Sequence, residues 1–261
     1  MADRSLSPTT LSLIALEGMP EVTAGMPLAP AIAAALERQA LAPAAADVLL
    51  VAQKIVSKSE GRFVDLASIE PSAEARDLAA RCAKDPRLVE VILRESTAIV
   101  RCAPQVLIVR HRLGLVMANA GVDQSNVPGS ENRVLLLPED PDASAAALRR
   151  SLAQILVTAP AVIITDTFGR PWRLGVCGTA IGASGVTTLL DRRGQPDRFG
   201  RELKVTQVAI ADALAAAAAL VMGEGAEGRP VALARGLAAG LMQESARAAD
   251  LKRPPAEDLF R

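Results

Sequence analysis

Residues 47–56, DVLLVAQKIV, form an apolar, β-branched run closed by the polar loop 57–62 and predict a buried strand. Residues 161–165 predict a second short buried strand that stops at Asp166. Residues 105–120 divide into two strands around 112–114, the pattern of a hairpin, and 230–233 predict one more short strand. Helical spacing recurs over 31–42, 72–84, 88–95, 141–156 and 203–222. Ser72 sits near the start of the second of these, and Asp142 or Ser144 near the start of the fourth. Loops are predicted at 121–130 and 223–228, and an ordered, Gly-rich loop punctuated by Pro171 at 169–185. The double proline makes the tail 253–261 irregular. This mixture of strands and helices predicts an α+β or mixed α/β fold without revealing strand order. There is no linker composition and no repeat, so 1–261 reads as a single domain.

Composition narrows the function. Lys plus Arg and Asp plus Glu number 29 each, so formal net charge is zero, and only 2% of residues are aromatic. Without a basic block or stacking platforms, neither nucleic acid nor an anionic membrane is an expected partner. The longest apolar run, 214–222, falls far short of the ~20 residues of a membrane span. The polar N-terminus carries no leader pattern. A cytoplasmic protein is therefore expected. The lone His111 excludes His-pair zinc sites and, between two arginines on a strand, reads as structural. The unclustered Cys82, Cys102 and Cys177 read as buried small hydrophobes in a reducing compartment.

Three patterns carry candidate chemistry. Gly223, Gly225 and Gly228 match GxGxxG, but the order is helix, loop, strand, and Glu224 and Glu227 would confront a pyrophosphate. A dinucleotide fingerprint needs strand, loop, helix, so it is rejected, and no P-loop motif exists. A phosphate could approach this loop only with a cation between it and Glu224. Asp123, in ANAGVDQSN, and Asp166, at a strand end, are all-oxygen candidates for Mg²⁺ or Mn²⁺, or else acids that cap their own turns. Lys54, Lys58, Arg170 and Arg173 are phosphate-compatible. The alternatives are surface arginines around Trp172 as a core anchor. Together these point to phosphoryl chemistry without a P-loop.

The same segments resemble the coenzyme F-420-0:L-glutamate ligase (gamma-glutamyl ligase) family. The matching stretches are LEGMPEV (16–22), DVLLVAQKIVSKSEGR (47–62), DPRLVEVILRES (85–96) and ANAGVDQSNV (118–127). They continue with LLPEDPDASA (136–145), DTFGRPWRLG (166–175), LVMGEGAEGRPVALARG (220–236) and EDLFR (257–261), in family order over nearly the whole chain. The resemblance implies a family-specific gamma-glutamyl ligase fold assembled as an intertwined homodimer, and no C-terminal flavin-reductase-like extension. It implies GTP-dependent joining of L-glutamate to the deazaflavin precursor F-420-0, with two Mg²⁺ or Mn²⁺ ions per site and K⁺ assisting. By motif, Asp123 and Asp166 are implied ligands of one ion, and Thr167 and Glu224 of a second. Met19, Pro20, Glu21, Val22, Gln53, Lys58, Asn126, Met222, Gly223, Glu224, Gly225, Ala226, Glu227, Gly228 and Arg229 are the implied GTP-binding groups.

Three positions depart from the family pattern: Met117 where Cys is frequent, Glu224 where some members carry Gln, and Thr165 where Ser is usual. A two-step course through an acyl phosphate needs no protein nucleophile, which suits a chain with no Tyr and one His. Two other readings stand beside the ligase: a non-catalytic deazaflavin- or nucleotide-binding protein of the same fold, and a metal-dependent GTP phosphohydrolase.

Overall fold

The computed structural model describes residues 10–127, 129 and 131–258. The N-terminal stretch, Pro128 and Ser130 of the 121–130 loop, and the last three residues of EDLFR lie outside the described residues.

The strongest apolar run becomes the middle of a sheet. β2 (Val48–Ala52) is buried at nearly every position. β-Branched and leucine side chains that have no polar alternate fit a strand covered on both faces. It pairs in parallel with β8 (Ala161–Arg170) and antiparallel with β12 (Val231–Arg235). β1 (Ser12–Ala15) and β9 (Arg173–Ser184) complete the sheet in the order β1-β12-β2-β8-β9. The two-residue period then sorts the core. Leu49, Val51, Val162, Ile164, Val231 and Leu233 face one layer, and Val48, Leu50, Ala161, Ile163, Ala232 and Ala234 the other.

The first layer is α1 (Leu28–Arg38) and α5 (Pro141–Ala153). α1 buries Leu28, Ala29, Ile32, Ala35 and Leu36, a helical stripe. α5 starts on Pro141 with Asp140 as its cap, the side chain accepting from Ala143 N at 3.0 Å. The second layer is α6 (Ile210–Met222), which buries Ala211, Leu214, Ala215, Ala218 and Met222.

Both layers press on β9 at glycines. A Cβ on Gly178 would sit 2.3 Å from Ala215 O of α6, and one on Gly182 would sit 2.2 Å from Pro141 O of α5. A register shift in the β8–β9 pairing between these positions lets the two glycines serve opposite faces.

A smaller cluster hangs from the middle of the chain. α3 (Ala73–Cys82) and α4 (Pro86–Arg94) pack on β4 (Ser96–Ala103), β5 (Val106–His111) and β6 (Val116–Ala118). β3 (Phe63–Asp65) and β7 (Arg133–Leu135) pair beside it. His111 is fully buried: its Nδ1 accepts from Leu113 N at 2.9 Å and its Nε2 lies 3.3 Å from Glu95 Oε2. Arg112 Nε and Arg62 Nη2 donate to the same Glu95 oxygen at 3.1 and 3.3 Å. Burial alone would raise the Glu95 carboxyl. The His111 bond and the two arginine charges prevail and hold it below its usual range.

Several expected boundaries move. The 47–56 strand ends at Ala52, and α2 (Gln53–Ser59) takes its last residues and part of the expected 57–62 loop. The expected loop 169–185 is instead the β8–β9 hairpin, because glycine there serves close packing as well as turns. The helix expected over 203–222 begins only at Ile210, after β11 (Gln207–Ala209), which pairs with β10 (Leu189–Asp191). Cys82 is buried as expected, but Cys102 and Cys177 are only half-buried. Trp172 is 92% exposed at the hairpin tip and is no core anchor. Among the described residues no helix is long and apolar enough to cross a membrane.

Gly182→Ala must push α5 off β9 and should destabilise the protein by about 2 kcal/mol in urea unfolding. Glu95 supplies a signed pH dependence. Its depressed folded value means that its contribution is present above the usual carboxylate range near ~4.3 and is lost as pH falls through that lower value. Glu95→Gln should cost about 2 kcal/mol at neutral pH and flatten the acid limb of stability, measured by unfolding at a series of pH values.

Candidate active site

The parallel pairing of β2 with β8 ends where Ala52 stands opposite Thr165. In open α/β sheets the crevice beyond such carboxyl ends is where ligands sit. The chain behaves differently on the two sides of that point. After Ala52 it turns at once into α2 and presents Gln53, Lys54 and Lys58. β8 runs on, paired only with β9, so Asp166 and Thr167 emerge where β2 no longer flanks them. Opposite Thr167 stands Gly178, whose missing side chain admits Ala215 of α6.

The result is a cavity of about 440 Å³ lined from five segments: 19–22, 52–58, the 123–126 loop, 165–167 with Gly178, and the end of α6 with the loop to β12. Every residue that the sequence resemblance implied as nucleotide-binding or metal-binding lines this one cavity.

The loop positions are held by backbone chemistry. Asp123 exchanges two backbone hydrogen bonds with Leu135, at 3.0 and 2.9 Å. Its Oδ1 accepts from Ser125 N at 2.7 Å, closing a tight turn, and its Oδ2 lies 2.8 Å from Lys54 Nζ. Asn126 adopts a left-handed φ of 54° and its Nδ2 donates to Gly225 O at 3.4 Å. The turn-capping reading of Asp123 therefore holds, and the residue also lines the cavity.

Glu224 and Glu227 part company. Gly223 ends α6 with a positive φ of 79°, and a Cβ there would meet Glu227 Cδ at 2.3 Å. Glu227 thus folds under its own loop, where it accepts from Gly225 N at 2.7 Å. That bonding to backbone N–H groups holds its carboxyl below the usual range. Glu224 instead accepts from Thr167 Oγ1 at 3.0 Å. Both acids line the cavity, and one of them, Glu227, is engaged by its own loop.

Lys58 is buried, with its Nζ 2.5 Å from Glu21 Oε1, so α2 grips the 19–22 turn. Gln53, also buried, accepts from Ser57 Oγ at 2.9 Å. Asp166 is half-buried, but protein crowds its carboxyl. Burial pushes it up to about 7, with the Asp123 and Glu224 charges adding to the rise while Lys54 and a Thr167 backbone bond oppose it.

Acids that repel one another in a cleft fit a cation better than they fit one another. Three carboxylates with the Thr167 hydroxyl are an all-oxygen donor set, suited to a hard divalent ion. Their present spacing is open: among the described residues no three His, Cys, Asp or Glu side chains are drawn together tightly enough to hold a metal.

Two sequence candidates fall elsewhere. Arg170 and Arg173 belong to the hairpin and do not line the cavity. Arg170 Nη2 instead bonds Leu174 O at 3.4 Å. Lys54 is central, although no motif implied it. Its one sequence signal was its place beside Lys58 after the apolar run.

Fold and site together define a mixed α/β protein with a carboxylate- and lysine-lined cleft at the ends of parallel strands. Residues 18–236 match the family described as F420-0:Gamma-glutamyl ligase. The chain is 53% identical over 217 residues to the coenzyme F420:L-glutamate ligase of Methanopyrus kandleri, covering 82% of this chain and 85% of that one. To the protein of the same name in Methanothermobacter thermautotrophicus it is 44% identical over 251 residues, covering 96% and 99%. To that of Haloarcula marismortui it is 42% identical over 257 residues, covering 96% of each. The chain belongs to the F420-0:gamma-glutamyl ligase family.

If Asp166 serves a ligand and not the packing, Asp166→Asn should leave the melting temperature unchanged or raised, because a repelled charge is removed. The same change should lower turnover more than about a hundredfold. Thermal unfolding and an activity assay on one preparation test both halves.

Proposed function

We propose that this chain is a single-domain ligase that uses GTP to join the amino group of L-glutamate to the carboxylate of F420-0, with further γ-linked glutamates as an extension of the same reaction. The observation that carries the reading is the convergence of the whole motif set on one cavity, from five separated segments. The names of its relatives support the substrate class.

In this reading Gln53, Lys58, Asn126, the 19–22 turn and the 222–229 loop hold the nucleotide. Asp123 and Asp166 would hold one Mg²⁺ or Mn²⁺, and Thr167 and Glu224 a second, with K⁺ assisting. Such ions supply neutralisation of the charge spread over the oxygens of a transferring phosphoryl group. The residues' own part is placement. Lys58, buried and anchored on Glu21, delivers a positive charge from a rigid helix.

The substrate carboxylate attacks the γ-phosphorus, GDP departs, and an acyl phosphate results. The glutamate amine then attacks the acyl carbon, the amide forms and phosphate leaves. Among the described residues that line the cavity there is no His or Cys, and the proposed course uses no protein nucleophile.

A homodimer belongs to the same proposal. Trp172, Leu174, Phe199, Val205 and Leu220 are each at least 84% exposed, a set of apolar groups that a second copy would cover.

Incubation with GTP, Mn²⁺, L-glutamate and F420-0, read by mass, should show product heavier by whole glutamyl units. Glutamate-independent GDP would instead mark a phosphohydrolase, and absence of any turnover a binding protein. With oxygen-18 in the substrate carboxylate, label should appear in released phosphate. Unlabelled phosphate would overturn the acyl-phosphate step.

A further inference from the structure

Asp123, Asp166 and Glu224 line one cavity, and the ammonium group of Lys54 lines it with them. Lys54 Nζ lies 2.8 Å from Asp123 Oδ2 and donates to Ser125 Oγ at 2.5 Å and to Ser125 O at 3.3 Å. An ammonium has three protons, and here three oxygens meet it. Lys54 sits in the first turn of α2, directly after the buried strand β2, so the amine is delivered by backbone that is fixed in the sheet.

Asp123 has divided its oxygens. Oδ1 accepts from Ser125 N, and Oδ2 is occupied by Lys54. A divalent ion that binds Asp123 through Oδ2 would share that oxygen with the lysine ammonium. Two cations within bonding distance of one carboxylate oxygen would also repel each other strongly.

We propose that Lys54 is an internal counter-cation that holds the metal position at Asp123 closed, and that the ion enters when an arriving phosphate draws the ammonium away. This rests on the ligase reading, which makes Asp123 a metal ligand. Without nucleotide, Lys54 competes with the ion and keeps its affinity low. With nucleotide, the phosphate takes over as the anion that satisfies the ammonium, and Asp123 is released to the metal. The two ligands then bind cooperatively, and by linkage each strengthens the other to the same degree. A merely structural lysine predicts the opposite sign. If Lys54 only braced the 123–126 turn, its removal would loosen Asp123 and weaken metal binding.

The test is Mn²⁺ binding, read from the electron paramagnetic resonance signal of the free ion, with and without GDP. Wild type, Lys54→Met and Asp123→Asn are compared, each checked for folding by circular dichroism, with Lys54→Gln replacing the methionine variant should that fail to fold. Without nucleotide, the neutral variant should bind Mn²⁺ about tenfold more tightly than wild type. The gain that GDP confers on Mn²⁺ affinity should shrink in the same variant. Equal or weaker Mn²⁺ binding by the folded neutral variant overturns the lysine's role while leaving the ligase reading in place, provided that Asp123→Asn still weakens Mn²⁺ binding. If Asp123→Asn leaves Mn²⁺ binding unchanged, the assignment of Asp123 as a ligand fails, and the proposal with it.

Discussion

The molecule depends on the parallel pairing of β2 with β8. Parallel strands need cover on both faces, because the crossover between them must lie over the sheet. That requirement brings α1 and α5 to one face and α6 to the other, and it makes near-continuous apolar runs of the two strands. It also sets the level at which the pairing of the two strands stops, Ala52 beside Thr165. Everything that lines the cavity is positioned relative to that shared edge.

Beyond the edge, the chain uses different devices to bring polar groups to one place. β8 overruns its partner and exposes Asp166 and Thr167. β2 passes straight into α2, which turns Lys54 and Lys58 inward. The 123–126 loop is fixed by its two backbone bonds to Leu135, and the loop after α6 by Glu227 beneath it. Rigid backbone at each of these points allows mutually repelling carboxylates to be held in a cleft. Asp166 carries the consequence, with a carboxyl pushed up to about 7 by burial first and by its acidic neighbours second.

The small cluster around α3, α4 and β4-β5-β6 has its own polar centre. Glu95 is surrounded by His111, Arg112 and Arg62, and that set ties the cluster to the segment leaving α2. A partly buried carboxylate that accepts from two arginines beside a buried histidine is stable only as a unit, because removing one partner leaves the others without a full set. The lone histidine therefore has a structural role, as its position between two arginines on a strand suggested.

The sequence by itself determined the mixed α/β class, the buried strand beginning at 48, the helices around α1, α3, α4 and α5, and the family. These rest on local periods and on long motifs such as ANAGVDQSNV and DTFGRPWR. Even the rejection of GEGAEG as a dinucleotide fingerprint was legible, since the order of elements is a local property. Tertiary structure decided what local pattern does not encode. The glycines of 169–185 read as loop, yet Gly178 and Gly182 are strand residues whose lack of a side chain admits two helices. Glu224 and Glu227 are equivalent on paper, but only folding turns one beneath its loop and leaves the other toward Thr167. Lys54 lies in the matching stretch 47–62 without an implied role there, and its importance comes from a partner 69 positions away along the chain, Asp123. Its ion pair forms only because β2 ends beside a strand that runs on and a loop from another part of the chain is fastened beside them. Contacts of that kind depend on distance in space, and the period of a sequence carries no information about it.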